Sequence, residues 1–97
     1  LPEEVCDVFG YALFELQSGK IPYNAKPMHG PLRDVIELVA VDIDGRAYRL
    51  TSTITFVGVI YVLHVFQKKS THGRSTPKRE LDVIEQRLRL VRAKHER

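Results

Sequence analysis

The sequence predicts a small α+β domain, with a helix at each end and an antiparallel, twisted sheet of three or more strands between them. Three observations carry this. Apolar residues recur at helical spacing near both termini. The central stretch is dense in Val, Ile and Thr, which suits strands. Asp44-Gly45 sits between two of these β-rich runs and is the strongest short hairpin signal in the chain. At 97 residues the chain suits one domain spanning 1–97. With 43% hydrophobic residues it can bury a core rather than stay disordered.

Residues 2–18 read as the first helix, because Val5, Phe9, Leu13 and Leu16 fall on one face. Pro2 suits a first turn, and Glu3 and Glu4 suit the positive end of the helix dipole. Gly19 is a natural stop. Residues 19–31, with Gly19, Pro22, Asn24, Pro27, Gly30 and Pro31, read as a surface connector.

Three strands follow, over 35–43, 46–56 and 59–66. A two-residue loop at Asp44-Gly45 would set Ala40 opposite Arg49 and Leu38 opposite Thr51. A second such loop at Val57-Gly58 would set Thr51 opposite His64, Arg49 opposite Phe66 and Ala47 opposite Lys68. One face would then carry Val39, Val41, Tyr48, Leu50, Ile54, Tyr61, Leu63 and Val65, ready to pack against helices. The other would gather Arg49, Thr51, Thr53, His64, Phe66 and Lys68 as a polar face. Residues 68–75 read as a polar loop. Thr76 is a good N-cap and Pro77 fits the first position of a last helix, whose apolar stripe is Leu81, Ile84, Leu88 and Val91.

Charge is divided along the chain. Residues 1–63 carry a net −3 and residues 64–97 a net +6, so the basic end invites a polyanionic partner. The dipole gives Arg87, Arg89, Arg92, Lys94 and Arg97 a structural reason for sitting near a helix C-terminus as well. The longest apolar run, 56–63, is far too short to span a membrane. A single cysteine, Cys6, allows no internal disulfide and makes the cytoplasm the expected compartment. The chain opens at Leu1 with no methionine, so residues upstream are expected.

The candidate chemistry lies around the second and third strands. His64 is either a hydrogen-bonded strand residue or a general acid or base, with nearby cations favouring its neutral, basic form. Arg49 suits an ion pair with Glu37 or Asp42, or a bidentate grip on a phosphate. Lys68 is either a solvated strand end or a cation that stabilises charge on a pentavalent phosphorus. Phe66 is either buried or a platform for a base. Lys69, Arg74, Lys78 and Arg79 are candidates for holding RNA phosphates, Lys78 at a helix start where N–H groups favour anions. The sequence shows neither Cys/His metal spacing nor a Gly-rich phosphate loop, so neither metal nor cofactor is expected. Phosphodiester chemistry on this basis points to attack by the RNA 2′-hydroxyl.

The run Tyr48-Arg49, then Tyr61-Val62-Leu63-His64-Val65-Phe66-Gln67-Lys68-Lys69-Ser70, then Thr76-Pro77-Lys78, resembles the RelE/ParE toxin superfamily. Within it the similarity is to the HigB-like, phage-related branch of type II toxin–antitoxin systems, over nearly the whole chain. The resemblance implies a RelE-like fold with helices on one face of the sheet. It implies cleavage of mRNA in the ribosomal A site, and a small helix-turn-helix antitoxin as partner. Arg49, Lys68 and Lys69 carry the nearest match to the superfamily's basic catalytic groups, with His64 as the base. Members usually begin with a short strand and helical segment before the helix that opens this chain. Without that strand, a sheet edge would be open to a second copy or to an antitoxin strand. Two other readings stand beside the endonuclease. One is a ParE-like toxin that blocks a protein such as gyrase. The other is an inactive relic that binds nucleic acid or an antitoxin.

Overall fold

The structure is a computed structural model and describes residues 1–56, 58–68 and 76–96. Its elements in chain order are helix α1 (Glu3–Gln17), strand β1 (Ala25–Pro27), a 3₁₀ turn (Gly30–Leu32), β2 (Val35–Val41), β3 (Ala47–Thr53), β4 (Val62–Lys68) and helix α2 (Lys78–His95). The strands form one antiparallel sheet in the order β1-β2-β3-β4. The expected class, an α+β domain with a helix at each end, is the one observed.

Helix α1 buries Val5, Phe9, Ala12 and Leu16, the stripe its periodicity implies apart from half-buried Leu13. Its end is a Schellman motif. Gly19 turns left-handed at φ +82, its N–H donates to Leu16 O, and the Lys20 N–H donates to Glu15 O. The chain then forms β1 inside what the sequence presents as a connector. Three residues ending in Pro27 carry no strand signal, and proline is tolerated there because β1 is an edge strand.

The first hairpin differs from expectation by one residue. The Asp42 N–H donates to Arg46 O, the Gly45 N–H donates to Asp42 O, and Gly45 is left-handed at φ +83. This is a three-residue loop with a glycine bulge, not a two-residue turn. Val39 therefore pairs with Arg49 and Leu38 with Leu50. A one-residue slip exchanges the faces of a strand. Ile36, Leu38 and Ala40 join Tyr48 and Leu50 under α1, while Val39 and Val41 leave that core and Val41 is exposed. The second register is the expected one: Thr51 opposite His64, Arg49 opposite Phe66, Ala47 opposite Lys68. It arises differently: the Thr53 N–H donates to Tyr61 O and the register shifts between Thr51 and Ser52, while Val57 of the expected loop lies outside the described residues. Past that shift Leu63 joins Phe66 on the far side, and Ile54 is exposed.

The sheet therefore has a core on each face, where the resemblance implied helices on one. Against the face opposite α1, Ile84 and Leu88 of α2 pack with Leu32, Val35, Leu63 and Phe66. Full burial of such an aliphatic side chain contributes about 1.5–3 kcal/mol. Thr51 and Thr53, expected on an open polar face, are fully buried beneath this layer. Their hydroxyls remain satisfied: Thr51 donates to His64 O, and Thr53 accepts the Tyr61 N–H. Thr76 does not cap α2. Its hydroxyl donates to Glu37 Oε2, and Pro77 takes the N-cap position.

Candidate functional site

The corrected register sets four charged residues across the α2 side of the sheet. Lys26 of β1 lies directly opposite Glu37 of β2, Arg49 of β3 lies diagonally from Glu37, and Lys68 of β4 lies opposite Ala47, two residues before Arg49. Arg49 Nη1 donates to Glu37 Oε1 at 2.6 Å, and Thr76 Oγ1 donates to Glu37 Oε2 at 3.0 Å. The pair is largely desolvated, with side chains 16% and 7% exposed. Arg49 Nε is buried and meets no acceptor among the described residues. Of the two roles read for Arg49, the ion pair with Glu37 is the one observed.

Lys68 completes the cluster. Burial, then the charges of Arg49 and Lys26, hold its ammonium below the usual lysine range, and Glu37 opposes them only in part. Three cations around one carboxylate leave a local excess of positive charge. A phosphate placed there would relieve it.

His64 has different neighbours from those expected. Arg87 Nη1 lies 2.8 Å from Leu63 O and 3.2 Å from His64 Nδ1, and His64 Nε2 lies 3.2 Å from Glu80 Oε1. A guanidinium only donates and a carboxylate accepts, so the arrangement fits the tautomer with Nδ1 accepting and Nε2–H donating. Both ring nitrogens are then engaged. The ring stacks on Phe66, with centroids 5.1 Å apart and planes at 22°. Phe66 itself is buried under α2.

The remaining expected contacts separate from this cluster. Lys78 is exposed and pairs with Asp82 at 3.2 Å, and Arg79 is exposed beside it. Lys69 and Arg74 lie outside the described residues. So the structure brings Arg49 and Lys68 together, and His64 with Phe66, while Lys78 and Arg79 stand at the start of α2. Sequence reasoning missed Lys26, Glu80 and Arg87. Lys26 was hidden in the connector. Glu80 and Arg87 did carry a signal, since a spacing of seven puts both on one helix face.

Beside the cluster lies a groove of about 670 Å³, between the β1–3₁₀ segment and the first half of α2. Lys26, Glu37 and Thr76 line both groove and cluster, and Met28, Leu32 and Leu81 give it apolar walls. Among the described residues, no three or more His, Cys, Asp or Glu side chains gather as a metal site, and no helix is long and apolar enough to cross a membrane.

A family model described as "Phage derived protein Gp49-like (DUF891)" matches residues 1–89. No curated protein and no solved structure matches the chain.

Proposed function

The chain belongs to the Gp49-like family of phage-derived proteins, a toxin-like family, and from that premise we propose that it is the toxin of a type II toxin–antitoxin pair and cleaves mRNA on the ribosome. In this reading it sits in the HigB-like branch and is neutralised by a helix-turn-helix antitoxin.

The observation that carries the reading is the cluster of Lys26, Arg49 and Lys68 around Glu37. An RNA phosphodiester placed there would meet the positive charges of Arg49 and Lys26. The lowered affinity of Lys68 for its proton raises its neutral fraction, so it suits removal of the 2′-hydroxyl proton. The 2′-oxygen then bonds to phosphorus and the bond to the 5′-oxygen breaks, the departing oxygen taking a proton from water, which gives a 2′,3′-cyclic phosphate and a 5′-hydroxyl end. Arg49 stabilises the extra charge of the pentavalent state. With both ring nitrogens engaged, His64 serves better as a positioning residue that ties β4 to α2 than as the base. Lys69, Arg74, Lys78 and Arg79 are assigned to phosphates of mRNA or ribosome.

Induced expression with mapping of mRNA 5′ ends tests this. Growth arrest should coincide with new 5′ ends in translated regions, and Arg49→Ala or Lys68→Ala should relieve both while the protein stays folded. Full toxicity in either variant would remove the assignment. Arrest with intact mRNA and disturbed DNA topology would favour the protein-blocking reading.

A further inference from the structure

We infer, resting on the endonuclease reading, that the groove between β1 and α2 holds the nucleobase next to the bound phosphate and selects guanine. The groove is continuous with the phosphate cluster, because Lys26 and Glu37 line both. A strand whose phosphate sits against Arg49 and Lys68 must send an adjoining nucleoside along that wall or away from it. The groove offers what a base needs: Met28 and Leu81 present apolar surface to the ring faces, and its volume of about 670 Å³ lies within the range of small-molecule pockets.

Its polar lining is the unexpected part. A channel that only tracked a phosphate backbone would be cationic. This one carries three carboxylates, Glu37, Asp82 and Glu85, beside Lys26 and Lys78. Ionised carboxylates only accept hydrogen bonds. Both oxygens of Glu37 are committed, to Arg49 and Thr76. Asp82 and Glu85, three apart on α2, share one face and hold surface pairs with Lys78 and Arg89, which contribute little and exchange readily.

A carboxylate of this edge, once released from its surface pair, discriminates among bases. Uracil offers one N–H between two carbonyls, which carboxylates repel. Adenine and cytosine offer an amine beside an acceptor nitrogen. Guanine alone presents adjacent ring N–H and amine donors that match the two oxygens of one carboxylate.

The test is titration of the ¹⁵N-labelled full chain with the 3′,5′-bisphosphates of guanosine, inosine, adenosine and uridine, so that a phosphate is present on either side. The guanosine compound should bind about tenfold tighter than its inosine counterpart, which lacks the 2-amino group. Amides of Met28 and Leu81 should shift. In Asp82→Asn/Glu85→Gln, with helix content checked by circular dichroism, the preference for guanosine over inosine should disappear. Equal binding of the two, a preference that survives the double variant, or no shift in the groove would overturn the inference. The last is the result expected of a groove that receives a protein segment. The two readings fail separately. Growth arrest with intact mRNA but persistent guanosine preference removes the endonuclease alone. Cut mRNA with equal nucleotide binding removes the base subsite alone.

Discussion

Arg49 bears on two neighbours, pairing with Glu37 and repelling the charge on Lys68. Its contact with Glu37 is short and largely desolvated, so removing one member leaves an uncompensated charge. Glu37→Gln should cost about 3 kcal/mol in urea unfolding. Combining it with Arg49→Met should cost clearly less than the sum of the two single changes, because the second removes the stranded cation. Strict additivity would mean that the pair is not coupled. The same two residues set Lys68 in opposite directions. Arg49 lowers its pKa and Glu37 raises it, so Arg49→Met should move the titration of Lys68 to higher pH and Glu37→Gln to lower pH, read by NMR at its side-chain carbons. Shifts of the same sign would contradict this account. For stability, a lysine with a depressed folded pKa binds fewer protons folded than unfolded. Its contribution is least favourable while it is charged. It improves as pH rises from the folded pKa to the ordinary value of 10.5.

Among the elements, the β2–β3 hairpin shows where sequence reasoning stops. Asp44-Gly45 correctly marks the turn. Whether the loop has two or three residues depends on which residues flank the left-handed glycine, and Asp42 decides it. Its Oδ1 accepts the N–H groups of Asp44 and Arg46. Burial alone would raise the Asp42 pKa. Those two hydrogen bonds, the Arg46 charge and the Tyr48 hydroxyl outweigh it and hold the carboxyl below its ordinary range. Stability linked to Asp42 should therefore be complete above the unfolded aspartate pKa, near 3.8, and be lost as pH falls through the lower folded pKa. Asp42→Asn should flatten this part of the acid limb of a stability–pH curve, and an unchanged limb would show that the hairpin does not depend on the charge. Helix existence was legible because it rests on a pattern repeated over many residues, whereas the β3–β4 register was matched from a turn assumption that does not produce it, a register shift between Thr51 and Ser52 making up the difference. Strand β1 was not legible, being three residues long with a proline. The second core was hidden for another reason. Thr51 and Thr53 read as polar, but their hydroxyls find partners, so they can lie beneath α2. Arg49 and Lys68 were legible as neighbours because the β3–β4 register held. Their link to Lys26 required the unseen strand.

Over the whole molecule, one sheet separates two cores, and the described candidate residues lie on the α2 side. Helix α1 closes the first core with Val5, Phe9, Ala12 and Leu16. Helix α2 closes the second with Ile84 and Leu88 and is tied down by Arg87 to Leu63, His64 to Glu80, and Arg92 to Asp34 at 3.0 Å. Among the described residues neither helix contributes a side chain to the other's cluster, so each can loosen without directly unpacking the other. Leu88→Ala should cost about 2–5 kcal/mol and Phe9→Ala about 3–5 kcal/mol, a large share of a typical domain's 5–15 kcal/mol. Similar losses should have different consequences. Leu88→Ala frees α2 from the face that holds Arg49 and Lys68, opens the groove wall formed by Leu81, Asp82 and Glu85, and removes cover from His64 and Phe66. Hydrogen exchange should then rise first in α2 and β4, with α1 and β2 still protected. Phe9→Ala should raise exchange first in α1. At temperatures where both variants remain folded, growth arrest should weaken more for Leu88→Ala than for Phe9→Ala. If the two give the same exchange pattern, the sheet couples its cores into one cooperative unit, and the site draws on α1 as much as on α2.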